Sequence, residues 1–482
     1  MKKRLATLGL LLAFGFTHKT MAQTGKQWSL KECVDYAFQH NVSIKTQQNA
    51  VQTNKNNQFQ SKMNLLPGAS ASASQSYSGG GRSVDPFTNT IVVDQTFRSN
   101  NFSVGANWAL FRGFQNINAL SQSALTTKAS EFDVETQKNT ISLNVVSAYV
   151  NMLAGYEQVT VAEEQLKLTQ AQVERTQKLV NAGASAEVNL LNLKAQLATD
   201  ELNLITAQTS LDLARLQIQQ LMQKPVEQNF EIDRPQLNVP NSASLAENPQ
   251  QIYQTAEKAL PQVKAAETRI QSANQNIRIT KGGFSPTLDM QFGYFTNYSG
   301  LATKFAISGA EERLSQYYYR DANNGVVPVY QVAPIGRSEK IGFNSQFRDN
   351  LRQSLSFSLN VPIFSNWQNH TNLSNAKIQR YNAELNAQTT KNTLRQEVEQ
   401  AWLDARTASK RYESTQKQVQ SLKEALRANE QRLNVGAINS VDYTQSKTNL
   451  ARAESDLVRA KYDLVLRIKL LDFYLGKGLD LN

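Results

Sequence analysis

The 482-residue chain is 40% hydrophobic and 19% charged, with a formal charge of +11, one cysteine and three histidines. One cysteine excludes a disulfide framework and a thiolate zinc cluster, and so few histidines leave little for a histidine-built catalytic or metal centre. The cations are scattered, which argues against a nucleic-acid footprint, and the eleven prolines fall mostly between segments, leaving room for very long helices.

The N-terminus carries Lys2, Lys3 and Arg4, then a short apolar run from Leu8 to Phe16, then small residues at Thr20 and Ala22. Residues 1–22 are therefore predicted to be a signal peptide cleaved before Gln23, because the run is too short to span a bilayer. Glutamine rather than cysteine at position 23 argues against a lipid anchor. Beyond residue 22 no stretch approaches the ~20 apolar residues of a spanning helix. The chain is expected to leave the cytoplasm with no helical means of crossing a membrane.

The remainder is duplicated. At an offset of 253, Phe102–Lys224 aligns without a gap on Leu355–Lys477. Asn107, Phe111, Gln115 and Asn116 meet Asn360, Phe364, Gln368 and Asn369, and Asn181, Gly183 and Ala184 meet Asn434, Gly436 and Ala437. Upstream the offset becomes 219, so that Pro67 meets Pro286. The difference is an insertion between Pro286 and Leu355 containing Tyr317, Tyr318 and Tyr319, which reads as a long exposed loop. The expected organisation is a first repeat over 23–224, a linker over 225–249, and a second repeat over 250–482 whose loop lies at about 295–350.

In chain order, a helix is predicted over Leu30–Leu65. The period then falls to two. Ala69–Tyr77 alternates weakly, and in Phe102–Leu110 the residues Phe102, Val104, Ala106, Trp108 and Leu110 alternate with Ser103, Gly105, Asn107 and Ala109. From Gln115 to about Val180 the apolar or small residues Ile141, Val145, Ala148, Met152, Val159, Leu166, Thr169 and Thr176 belong to a seam of period 3.5. That run would extend roughly 100 Å if continuous. Gly183 can supply its left-handed cap, and Ser185 is a candidate N-cap for a returning helix carrying Leu197, Leu204 and Leu211.

The second repeat follows the same order. A helix over Ile252–Gly282 precedes alternating segments at Leu288–Tyr294 and Leu355–Ile363. A long helix then runs to Gly436, and a return helix, with Ser440 as candidate N-cap, carries Leu450, Leu457 and Leu464. The four alternating segments approach the length of tilted transmembrane strands, and Trp108, Phe111, Tyr298, Phe364 and Trp367 at their ends suit an interfacial girdle. Four strands cannot close a barrel, and an open edge in lipid leaves backbone groups unpaired. Several chains must therefore share one; three chains would make twelve strands. Gly79-Gly80-Gly81 lacks the context of a phosphate loop. Cys33 and His40 can share a helix face but lack a third orienting group for nucleophilic catalysis.

This layout resembles the TolC family of outer-membrane efflux channels over essentially the whole chain after residue 22. The most specific stretch is Arg432–Asp442 with Tyr443, Thr444 and Gln445; Leu179–Asn189 is its weaker copy. The resemblance implies a mainly α fold with a transmembrane β part. Duplicated long helical hairpins would form an α-barrel, and four strands per chain would enter a shared twelve-stranded barrel in a homotrimer. It further implies a passive conduit of a tripartite efflux or type I secretion system, in the outer membrane and reaching into the periplasm. Its partners would be a periplasmic adaptor protein and an inner-membrane pump, and it would have no cofactor, no metal and no enzymatic activity. By position, Asp442 falls on the periplasmic gate, Gln445 where the family has a second acid, and Ile438 where it has a locking arginine. The tip residues Ala182, Gly183, Ala184, Val435, Gly436 and Ala437 become candidate adaptor contacts. The competing class is a periplasmic or surface coiled-coil structural protein without transport activity.

Overall fold

The computed structural model describes residues 27–235 and 248–479, so the predicted signal peptide and the middle of the predicted linker lie outside the described residues. In chain order the elements are β1 (Gln27–Trp28), α1 (Leu30–His40), α2 (Val42–Met63), β2 (Gly68–Ser78), β3 (Arg82–Val84), β4 (Ile91–Val93), β5 (Phe97–Arg112), α3 (Gln115–Asn181), α4 (Glu187–Met222) and β6 (Glu231–Ile232). The second half follows with α5 (Pro249–Ala259), α6 (Pro261–Gly282), β7 (Thr287–Ser299), β8 (Thr303–Arg320), β9 (Val326–Lys340), α7 (Phe343–Asp349), β10 (Arg352–Asn360), α8 (Gln368–Asn434) and α9 (Ser440–Tyr474). The long helices α3 and α8 are 67 residues each and begin and end at positions related by the 253-residue offset. The backbone repeats as well. Gly113 and Phe114 are left-handed (φ 58° and 62°) before α3, as are their counterparts Asn366 and Trp367 (φ 49° and 65°) before α8.

Several elements differ from the sequence expectation. The first helix of each repeat is two helices. Asn41 (ψ 123°) breaks the first and caps α2 through Oδ1, which accepts from Ser43 N at 2.9 Å. Leu260 (ψ 133°) breaks the second because Pro261 pushes its predecessor out of the helical region. Neither serine occupies the N-cap position of a return helix. Ala186 precedes α4 without a side-chain bond, and Asn439 caps α9 by accepting from Asp442 N. The expected loop over 295–350 is instead the long antiparallel hairpin β8–β9 followed by α7. In the expected linker, β6 pairs in parallel with β1, and Phe230 and Ile232 are buried.

Of the described residues, those up to Val51, those of Ala129–Glu267 and those from Leu385 on form one compact unit. Gln52–Lys128 and Thr268–Glu384 form the other, so each draws on both repeats. The first unit is helical. Its seam is buried as the 3.5-residue period demands: Ile141, Val145, Ala148 and Met152 pack with Cys33, Ile44, Leu211 and Ile218, while Leu394, Val398, Ala401 and Ala405 pack with Ile252, Val263 and Leu471. The β1–β6 pair is fastened to α3 and α4. Tyr149 Oη donates to the Asp233 carbonyl at 2.7 Å, Tyr156 Oη donates to Glu231 Oε2 at 2.5 Å, and Arg215 pairs with Glu231 at 3.1 Å. Burial pushes the Tyr149 hydroxyl above its ordinary value. Glu231 is pushed up by burial but held below the usual carboxylate range overall by Tyr156, Arg234 and Arg215.

The second unit holds one four-stranded antiparallel sheet in the order β10-β7-β5-β2. At its helix-proximal end, Gln115 Nε2 donates to Ile279 O at 3.1 Å and Asn369 Nδ2 to Gly283 O at 2.7 Å. Cys33 is buried in the helical core, and His40 stacks on Tyr36, so their neighbourhood is ordinary packing. His370, exposed in the first turn of α8, is stacked on Trp367 and edge-on to Phe284.

Candidate functional site

The register of the sheet decides what each face carries, because directly opposed residues point to the same side. Leu355 opposes Phe292, which opposes Ala106, which opposes Ala69. The neighbouring rows are Phe357–Met290–Trp108 and Gln353–Tyr294–Val104–Ala71. The other face carries Ser356–Gln291–Asn107 and Ser354–Gly293–Gly105–Ser70. One face is thus predominantly apolar across all four strands, and the other carries mainly small and polar side chains, with Phe295 among them. The apolar face is exposed: Val104, Phe292, Tyr294, Leu355, Phe357 and Leu359 are all uncovered. A β-bulge at Leu110 advances the register so that Phe111, rather than Leu110, opposes Leu288 and extends the apolar face.

The polar face is cross-linked by short bonds, with Ser72 Oγ and Ser103 Oγ 2.6 Å apart and Arg112 paired with Asp289 at 3.1 Å. At the helix-proximal end Phe114, Ile363, Phe364 and Trp367 are exposed, and Trp108 Nε1 donates to Leu65 O at 2.9 Å. Phe114, Phe364, Trp367 and Trp108 form an aromatic belt. Tyr298, expected in such a belt, is instead tucked at the distal end beside Phe343, with the Arg98 guanidinium over its ring. The two outer strands, β2 and β10, each leave one edge unpaired within the sheet.

The helical unit carries the predicted tip residues. Both turns are Schellman motifs: Gly183 (φ 70°) donates to Val180 O while Ala184 donates to Leu179 O, and Gly436 (φ 74°) donates to Leu433 O while Ala437 donates to Arg432 O. Ala182, Gly183, Ala184, Val435, Gly436 and Ala437 are all exposed. Asp442 is exposed in the first turn of α9, where its backbone N–H is capped by Asn439 Oδ1 at 2.9 Å and its charge favours the helix dipole. Gln445, also exposed, lies three residues on, on the same helix side, and donates to Asn449 Oδ1 at 3.0 Å.

Tyr443, next to Asp442, is half-buried and feels the charges of Glu430 of α8 and Arg175 of α3. Burial raises its hydroxyl above the ordinary value, Glu430 adds to this, and Arg175 opposes it. The sequence pattern did not predict a buried polar cluster formed by Lys447, Thr169 and Asp200. The available signal was a lysine three residues before Leu450, on a seam otherwise filled by Leu450, Ala453, Leu457, Ala460 and Leu464. Among the described residues no cluster of His, Cys, Asp or Glu is arranged to hold a metal, and no helix is long and apolar enough to cross a membrane.

An exposed apolar sheet face and an aromatic belt define a β-sheet membrane protein, which also carries long helical hairpins with small-residue tips. The outer membrane efflux protein family model matches residues 33–223 and 252–477, and the chain belongs to that family and is an outer-membrane protein. It is 24% identical over 342 residues to the outer membrane protein TolC of Escherichia coli (strain K12), a match spanning 69% of this chain and 60% of that relative's length. Solved structures of similar fold include CusC (TM-score 0.73, 18% identity, 93% of this chain and 92% of that one) and VceC of Vibrio cholerae (0.72, 16%, 94% and 97%). The open state of MtrE of Neisseria gonorrhoeae is also similar (0.69, 19%, 94% and 90%).

Proposed function

We propose that three copies of this chain close one twelve-stranded barrel in the outer membrane and that their helical hairpins continue it as a conduit through the periplasm. The two-faced sheet with unpaired β2 and β10 edges carries this reading. In lipid each unpaired backbone group costs several kcal/mol, so an exposed apolar sheet must find its edges' partners in further copies. The polar face then lines water and the apolar face meets lipid. The conduit is passive and makes no bonds. It serves a tripartite efflux or type I secretion system, with an adaptor docking at Ala182, Gly183, Ala184, Val435, Gly436 and Ala437 and an inner-membrane pump supplying energy. The family relationship to efflux proteins supports these partners.

Asp442 and Gln445 project from the first turns of α9, where three copies would set a ring of carboxylates at the narrow end. A unit charge about 7 Å from a permeating ion is worth roughly 0.6 kcal/mol in water, so a ring of three favours cations by roughly 1–2 kcal/mol before salt screening. Asp442→Asn is expected to lower the cation-over-anion permeability ratio in planar bilayers by roughly three- to tenfold at low salt. Gln445→Asp, which adds a second ring, is expected to raise it. An unchanged ratio in both variants would remove these residues from the gate.

A further inference from the structure

The two hairpins carry the same seam but fill it differently at one level. In the second hairpin Val419, Leu450 and Ala453 are buried, with Leu422, Leu426 and Leu457 packed against them. The offset of 253 places Thr169 and Asp200 at the counterparts of Leu422 and Ala453, and both are buried, at 1% and 3% exposure. A carboxylate inside a helix seam is strongly destabilising unless it is paired and hydrogen-bonded. Here the pairing comes from the other hairpin. Lys447 of α9, 6% exposed, donates from Nζ to Thr169 Oγ1 at 2.7 Å. The threonine hydroxyl in turn donates to Asp200 Oδ2, and Gln196 Nε2 donates to Asp200 Oδ1 at 2.8 Å. The repeat counterpart of Lys447, Lys194, is exposed, so this relay exists at one of the two equivalent levels. Burial holds the Lys447 ammonium below its ordinary value, and the nearby Asp200 offsets this only in part.

We propose that Lys447 is a positioning residue that pins α9 to the first hairpin, so that α9 parts from α3 and α4 only on the tip side of this residue. Apolar contacts along a seam of small residues are non-directional and give little resistance to sliding. A buried charged relay works in one register and leaves an uncompensated charge when broken. Two further ties lie on the side away from the tip: Gln158 donates to Ser455 Oγ at 2.7 Å and Lys461 pairs with Glu157 at 3.0 Å. Of these three buried or charged ties Lys447 is nearest the tip; beyond it α9 still meets α3 through the half-buried Tyr443 near Arg175, a contact without a buried charge pair. The segment beyond it contains Asp442 and Gln445, so the pin marks where the movable end of α9 begins. That consequence for gating rests on the channel reading above; the pin itself does not.

The test is disulfide formation between Gln158→Cys and Ser455→Cys in the full chain in a Cys33→Ala background, which removes the single native cysteine. This pair replaces one of the three ties and leaves Lys447 to hold the tip side. Lys447→Met is expected to slow the cross-link about tenfold, while a Val419→Cys/Leu450→Cys pair within the second hairpin forms at the parent rate. The charge-exchanged Lys447→Asp/Asp200→Lys chain is expected to recover most of the lost rate, which a packing role would not produce. Cross-linking as fast as in the parent would overturn the pin. If Lys447→Met loses both cross-links through misfolding, Thr169→Val decides: it keeps both charges and the side-chain size, and must slow the inter-hairpin cross-link about two- to threefold. An unchanged rate there overturns the pin equally. In planar bilayers Lys447→Met is expected to raise resting conductance. A slowed cross-link with unchanged conductance leaves the pin standing and sinks its part in gating.

Discussion

Leu355→Lys is expected to destabilise the membrane-assembled protein by about 2–4 kcal/mol, whereas Ser356→Lys, one residue along the same strand, is expected to cost well under half as much. Leu355 sits on the exposed apolar face, in the middle of the band running from Phe102 to Leu359, and opposes Phe292. A lysine there must place an ammonium in hydrocarbon near mid-depth, with no neighbour in the row able to pair it. Ser356 opposes Gln291 on the polar face, where water would solvate the new charge. The measurement is the fraction of chain that folds into outer-membrane-like vesicles and resists denaturant. Equal losses for the two variants would mean that the apolar face is not in lipid.

Gly113→Ala is expected to be the costliest single methyl in the second unit. Its φ of +58° already disfavours a side chain by roughly 1–2 kcal/mol. A Cβ there would lie 2.4 Å from the Gly282 carbonyl oxygen and 2.6 Å from Ser285 Cβ, so the turn into α3 and the end of α6 must shift, adding about 1–3 kcal/mol. Gly436→Ala provides the contrast. Its φ of +74° carries the same conformational penalty, but no atom lies within 4 Å of the added Cβ, so the loss should stay near 1 kcal/mol. Denaturant midpoints of the two variants against the parent give the difference. A Gly113→Ala loss no larger than that of Gly436→Ala would contradict the close crossing of Gly113 and Gly282.

Much of this architecture was legible in the sequence because the duplication constrains each repeat twice. Period 3.5 over Ile141–Val180, period 2 over Phe102–Leu110 and the Asn-x-Gly at each tip are local patterns, and local patterns survive without knowledge of partners. What was missed depends on partners or on single-residue geometry. The bulge at Leu110 moves one residue off the alternation, and nothing in a composition of alternating apolar residues marks where the extra residue falls. The helix break at Asn41 comes from its side chain turning back to cap α2, an option open to any asparagine in a helix and taken at few. The insertion holding Tyr317, Tyr318 and Tyr319 looked like a loop because it also holds several Gly and Pro. The β8–β9 ladder accommodates Gly309, Pro328, Pro334 and Gly336, with register shifts at Ile307/Gly309 and Leu314/Tyr318. Asp200 was unreadable for a different reason: its partner Lys447 is supplied by the other hairpin, far away in the chain.

The most direct test of the shared barrel is the mass of the unheated species extracted in mild detergent from an outer-membrane fraction. The expected result is a species of three chains that falls to single chains on heating, because heating would part the β2 and β10 edges from their partners in neighbouring copies. A monomer recovered from the soluble periplasm, or a membrane species of one chain, would contradict it.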